Sequence, residues 1–243
     1  IPPSSGMSLF AMFYFSERIS CHVNFSFDFV VSLQGCGCLA QAGDDCQILE
    51  FNFEKIEEER LKNEEEQENH VSLTFVGDLM CHSPQFKHAL KSDGTYDFYP
   101  VFEPVAEYLS TSDFTVGNLE TVLAGTTKTY SGYPQFNTPN SYADALKKVG
   151  FDLIVTANNH SYDKKEAGVL RTIKELEKRK FLTAGTYSTT EKRDAVQVIQ
   201  IKNIKVSILA YTQFSNLGVP QAKKHLVNVI DTALVKKDIQ AAR

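Results

Sequence analysis

The stretch Ala157-Asn158-Asn159-His160, with Asp163 three residues on, sets two carboxamides, an imidazole and a carboxylate between two patterned segments. An apolar run, FDLIV, precedes it, and a helix-like pattern starts at residue 164. Such a row of side chains suits neither a core nor a helix interior. Two more polar clusters follow apolar runs: Gly77-Asp78-Leu79-Met80-Cys81-His82 after 71–77, and Gly117-Asn118-Leu119-Glu120 at the end of 113–118. In open α/β sheets ligands sit beyond the carboxyl ends of the strands. Parallel neighbours would therefore bring Asp78, His82, Asn118, Glu120, Asn159, His160 and Asp163 together, with Asn158 beside them. Converging carboxylates either raise a pKa or take up a cation. Oxygen and imidazole donors, with no thiolate beyond Cys81, suit Mn, Fe, Mg or Zn rather than soft ions. An Asn ligates through its carbonyl oxygen at no cost in charge, and a His beside it serves as ligand or as general acid. Each residue also has an ordinary alternative. Asp78 could form a turn or cap, Asn118 and Glu120 could cap a helix, Asp163 could N-cap the helix at 164, and His82 could simply be exposed. His70, His88 and His225 sit in ordinary helical or loop contexts.

The elements that must position these groups follow from periodicity. VSLTFVG (71–77), DFTVGN (113–118) and FDLIVTA (151–157) are strands. YPVFEPVAEYL (99–109) has helical spacing. SYADALKKVG (141–150) is a helix with Asn140 or Ser141 to cap it and Gly150 to end it. Residues 164–180 form a helix with Val169, Leu170, Ile173 and Leu176 on one face. AVQVIQI (195–201) and IKVSILAYT (204–212) read as a hairpin or as two adjacent strands. Strands alternating with helices predict an α/β layered fold with a largely parallel sheet.

The chain has 243 residues, 42% hydrophobic and 23% charged, with a formal charge of −5. That is a globular composition without the basic footprint of a nucleic-acid binder. Residues 54–68 hold eight Glu against three Lys or Arg, so 51–70 reads as an acidic linker or solvated helix. Five cysteines, four of them before residue 50, make neither a disulfide framework nor a paired zinc site. Residues 1–50 read as a leader or anchor-like segment, Phe-rich but interrupted by charges, so no transmembrane helix is expected there. SLQGC, ending at Cys36, faintly resembles a lipoprotein cleavage site. Organisation is therefore expected as 1–50, 51–70 and a domain from 71 to 243, with both ends of the chain cut.

LTFVGDLMCHSPQ (73–85), YDFYPVFEPV (96–105), DFTVGNLETVLAG (113–125), residues 131–180 around TANNHSYD, and ILAYTQFSN (208–216) together resemble the capsule synthesis protein CapA family, the poly-γ-glutamate biosynthesis proteins. The resemblance covers about residues 71–220. It implies a calcineurin-like metallophosphoesterase sandwich with a divalent metal at its strand ends. It further implies Asp78, Glu120 and Asn159 as metal ligands, His160 as the catalytic, substrate-contacting group, and His82, Asn118, Asn158 and Asp163 as substrate contacts or supports. A metal-dependent phosphoester hydrolase and a non-catalytic assembly or polymer-binding subunit both agree with these residues. Implied partners are membrane-embedded ligase and export subunits and an anionic polymer, at the outer face of the cell membrane or outside the cell. Family members carry further His-Trp-Gly-Glu and Gly-His-Pro-His segments that supply histidine ligands. This chain has neither, so the expectation is a domain truncated at its C-terminus.

Overall fold

A computed structural model describes residues 10–15, 58, 60–62 and 70–243. The lipoprotein-like segment at Cys36 and most of the acidic run lie outside the described residues. Strand β1 is Phe10–Phe15, within the segment read as a leader. Strand β2 is Leu73–Leu79, followed by α1, Ser83–Ala89. Next come α2, Tyr99–Phe102, a 3-10 turn at Glu103–Val105 and α3, Ala106–Ser110. One helix was expected here. Pro104 removes a backbone donor in its middle and breaks it into these pieces. Strand β3, Phe114–Leu119, α4, Ser141–Lys148, and β4, Leu153–Val155, match the predicted order. Helix α5 is Lys165–Lys178. Strand β5, Leu182–Ala184, and α6, Thr190–Asp194, complete the helical half. Strands β6, Ile199–Ile201, and β7, Ile204–Tyr211, form the predicted antiparallel hairpin. A 3-10 segment at Gln221–Leu226 and α7, Thr232–Ala242, end the chain. Among the described residues no helix is long and apolar enough to cross a membrane.

Strands β2-β3-β4-β5 form a parallel sheet in that order, and β1-β7-β6 form an antiparallel one. The two sheets face each other. Phe114, Val116, Leu153 and Val155 meet Ile199, Ile201, Val206, Ile208 and Ala210 in one apolar layer. The opposite face of the parallel sheet packs Leu79, Leu119 and Ile154 against helices through Tyr142, Leu146, Leu176 and the ring of Phe98. This is a mixed α/β sandwich of the predicted class. Gly150 ends α4 with φ +101°, as its position predicted. Asn140 stands at the N-cap of α4, but its side chain makes no cap bond and instead accepts from Arg171 Nη1 at 2.9 Å.

Two glycines decide how the site is presented. In β2 the pairing slips between Val76 and Asp78, so Gly77 is an extra residue in the ladder. A bulge of this kind inverts the side-chain alternation. Val76 and Leu79, three apart, therefore both face the helical layer, while Asp78 pairs with Asn118 and leaves it. Gly185 follows β5 with φ +108°, and a Cβ there would lie 2.5 Å from Ala157 Cβ and 2.7 Å from its backbone nitrogen. Ala157 opens the polar turn. Gly185→Ala is expected to cost about 1–3 kcal/mol through strain and overlap, measured by denaturant melts. The same change should disturb the 157–160 turn.

Candidate functional site

The site stands at the carboxyl ends of β2, β3 and β4. Asp78 sits on the exposed edge strand, whereas Asn118, Glu120, Asn158, Asn159, His160 and Asp163 are buried. Asn118 Nδ2 donates to Asp78 Oδ1 at 2.7 Å. Asn158 Nδ2 donates to Asn118 Oδ1 at 3.1 Å and to the Leu119 carbonyl at 2.9 Å. The Asn158 Oδ1 in turn accepts from the His160 backbone nitrogen at 3.1 Å. Asn118 and Asn158 thus form a carboxamide relay that fastens the three strand ends together. Ser161 Oγ locks the turn by donating to the Asn158 carbonyl at 2.7 Å and accepting from the Asn158 nitrogen at 2.8 Å.

His160 is held by Asp163. Its Nδ1 lies 2.7 Å from Asp163 Oδ2, which also accepts from the Phe136 backbone nitrogen at 2.7 Å. Asp163 does not cap α5. The N-cap position is Lys164, with no side-chain cap bond, because the carboxylate turns inward to the imidazole. A carboxylate on Nδ1 fixes that nitrogen as the donor and leaves Nε2 directed at the site, 4.0 Å from Glu120 Oε1. The Phe136 ring packs edge-on to His160, with centroids 4.7 Å apart.

Among the described residues, the His82 side chain makes no hydrogen bond to this cluster. It is exposed, and its ring meets the Phe136 ring edge-on with centroids 5.0 Å apart. Its backbone nitrogen donates to Gln85 Oε1 at 2.5 Å at the start of α1. Cys81 is fully buried, and burial pushes its thiol up to about 11, so it stays protonated in the core.

Glu120 carries the electrostatic signature expected of converging carboxylates. Burial first, then a hydrogen bond and the negative charge of Asp78, then the charge of Asp163, push it up to about 8. Without a cation the two carboxyl groups share a proton. The sign of the pH dependence follows. The folded chain keeps the Glu120 proton to about 8, while the ordinary value is 4.5. Its stabilising effect is fully present below the ordinary value and is lost as pH rises through the folded one. Thermal melts in chelator should therefore show stability falling from pH 5 to pH 8, and Glu120→Gln should flatten that slope.

Three observations fit a hard divalent cation here. Two carboxyl groups converge, Asn159 Oδ1 is buried without a hydrogen-bond partner, and so is Asp163 Oδ1. Buried polar atoms without partners call for a ligand or water. Among the described residues no three His, Cys, Asp or Glu side chains form a metal-holding group. The cation-binding set would be two carboxylates, Asp78 and Glu120, plus the Asn159 carboxamide oxygen. Asn216 was missing from the predicted site. Its backbone nitrogen donates to the Asn159 carbonyl at 2.9 Å, and its Nδ2 lies 3.4 Å from both ring nitrogens of His160. Its only signal was its place at the end of the ILAYTQFSN run, after β7.

Comparison with known proteins gives a coherent picture. Residues 72–243 match the family described as "Bacterial capsule synthesis protein PGA_cap". The PGA biosynthesis protein CapA of Bacillus subtilis is 25% identical over 168 residues, 66% of this chain and 42% of that protein. The capsule biosynthesis protein CapA of Bacillus anthracis is 26% identical over 146 residues, 58% of this chain and 34% of its own length. An uncharacterized protein of Sinorhizobium fredii, y4sH, is 27% identical over 119 residues, 46% of this chain and 26% of its own. The matched regions thus span well under half the length of these relatives.

Proposed function

The chain belongs to the bacterial capsule synthesis protein family, and on that premise we propose that it serves in making or exporting an anionic capsule polymer, poly-γ-glutamate, at the strand-end site. The observation that carries this reading is the junction of the Asp78–Glu120 carboxyl pair with the Asp163-held imidazole of His160. Asp78, Glu120 and the Asn159 carboxamide oxygen would hold a divalent cation of the Mn, Fe, Zn or Mg kind. Such an ion supplies Lewis-acid polarisation of a phosphoryl or carbonyl oxygen. Asn118 and Asn158 hold the three strand ends in register. Asp163 orients His160 so that Nε2 faces bound substrate and can pass a proton to a leaving group. In this reading the protein is a metal-dependent hydrolase of a phosphoester or related bond. It works at the outer face of the cell membrane, beside membrane-embedded ligase and export subunits.

A second reading rests on the small number of charged donors. With no group of three ionisable ligands among the described residues, the same site would hold a cation and, through it, the polymer, without turnover. Elemental analysis paired with hydrolysis of bis(p-nitrophenyl) phosphate separates the two. A bound cation with turnover that depends on His160 supports the hydrolase. A bound cation without turnover supports the assembly subunit. Absence of any bound cation contradicts both.

A further inference from the structure

A hydrogen bond at one corner does not fix the plane of an imidazole. The bond between His160 Nδ1 and Asp163 Oδ2, 2.7 Å long, pins that corner. Such a bond stays good over roughly 30° of tilt, and the ring torsion of a histidine has no sharply preferred value. A group that passes a proton needs its direction held within about 10–20°. Phe136 gives the ring a second contact, standing at 85° to it with centroids 4.7 Å apart.

A further contact comes from Asn216. Its Nδ2 lies 3.4 Å from Nδ1 and 3.4 Å from Nε2 of His160. An atom equally far from both ring nitrogens lies in the plane that bisects the ring through Cε1. Within the plane of the ring, at that distance, it would overlap the Cε1–H group. The amide nitrogen therefore stands over the ring face, where neither ring nitrogen presents a lone pair or a hydrogen. An aromatic face is electron-rich, so an N–H suits it and a carbonyl oxygen does not. With the amide there, the ring cannot swing toward that side without overlap. Asn216 is itself held. Its backbone nitrogen donates to the Asn159 carbonyl at 2.9 Å. At the start of the loop after β7, Thr212 nitrogen donates to the Asn228 carbonyl at 2.9 Å, and Thr212 Oγ1 donates to the Phe214 carbonyl at 2.9 Å. Asn216 is exposed while His160 is buried, so the carboxamide covers the ring from the solvent side.

We propose that Asn216 is a positioning residue: its carboxamide, laid on the ring face, sets the plane of the His160 imidazole and with it the direction of Nε2. Its effect on turnover rests on the hydrolase reading given above; the ring contact does not. The test joins nuclear magnetic resonance of the full chain to steady-state hydrolysis of bis(p-nitrophenyl) phosphate with Mn²⁺. A proton over a ring face is shifted upfield by the ring current. An Asn216 side-chain amide proton, identified by its loss in Asn216→Ala, is expected upfield of the ordinary carboxamide range and is expected to return to it in His160→Asn. An Asn216 amide signal in the ordinary range that His160→Asn leaves in place overturns the proposal. In Asn216→Ala the backbone bond to Asn159 remains, and shortening an exposed side chain opens no core cavity. Cation content, melting temperature and KM are therefore expected to stay at wild-type values while kcat falls about tenfold or more. An unchanged kcat overturns the proposal, as does a loss explained by KM or by cation content. If the wild type shows no turnover, the hydrolase reading fails by itself. Weakening of the nuclear Overhauser effect between the His160 and Phe136 rings in Asn216→Ala then upholds the positioning role, and an unchanged effect overturns it.

Discussion

Replacing His160 with Asn is expected to lower hydrolysis of bis(p-nitrophenyl) phosphate by about 10² or more, the usual contribution of a positioned proton donor. Asn places its amide where Nδ1 now sits, so the bond to Asp163 Oδ2, 2.7 Å in the wild type, has a donor to replace it. What disappears is Nε2, the atom that faces Glu120 across 4.0 Å. Cation content is expected to stay at the wild-type level, because His160 is not among the proposed ligands. The melting temperature should fall only modestly, since the ring's edge contact with Phe136 is the main packing lost. Turnover equal to wild type, with the fold intact, would remove His160 from the chemistry.

Arg193→Met is expected to cost about 3–5 kcal/mol, the usual penalty for stranding one member of a buried ion pair. In a chain of this size that is a fall of roughly 10 °C in melting temperature. Both side chains are buried, and the guanidinium makes two bonds to Asp238 and a third, of 3.1 Å, to Asn228 Oδ1. Tyr211 adds its hydroxyl to Asp238 Oδ2 at 2.5 Å. Burial works against the Asp238 charge, yet the Arg193 guanidinium and the Tyr211 hydroxyl hold its carboxyl below the usual range. This network ties α6, α7, β7 and the 227–230 segment together. Arg193→Met combined with Asp238→Asn should recover much of the loss, because no buried charge is then left unpaired. A cost below about 1 kcal/mol for Arg193→Met alone would mean that water compensates the stranded carboxylate.

The layered α/β class was legible because each core strand is an apolar run closed by Gly or by polar residues. The site was legible for the same reason: Asp78, Glu120 and the Asn158–His160 turn stand where the runs stop. Features that depend on partners far along the chain were not. Strand β5 has three residues, too few for any period, and exists because it pairs with β4. The Gly77 bulge shows only in its register against β3. Asp163 reads as a helix cap until the fold puts His160 and the Phe136 nitrogen on its inner side. Asn216 lies 56 positions from the imidazole it meets, and no local pattern announces it. His82 was grouped with the site by its nearness to Asp78, and its ring meets the same Phe136 ring that packs on His160.

The most direct test of the account is calorimetric titration of the chain with Mn²⁺ at pH 7, repeated in two buffers of different ionisation enthalpy. Glu120 keeps its proton up to about 8 because burial, and then Asp78, oppose its charge. A cation held by that pair must displace this proton, since ligands bind metal in their deprotonated form. The account predicts binding with release of about one proton per cation, and loss of that release in Glu120→Gln. Absence of binding, or binding whose proton release is the same in Glu120→Gln, would contradict it.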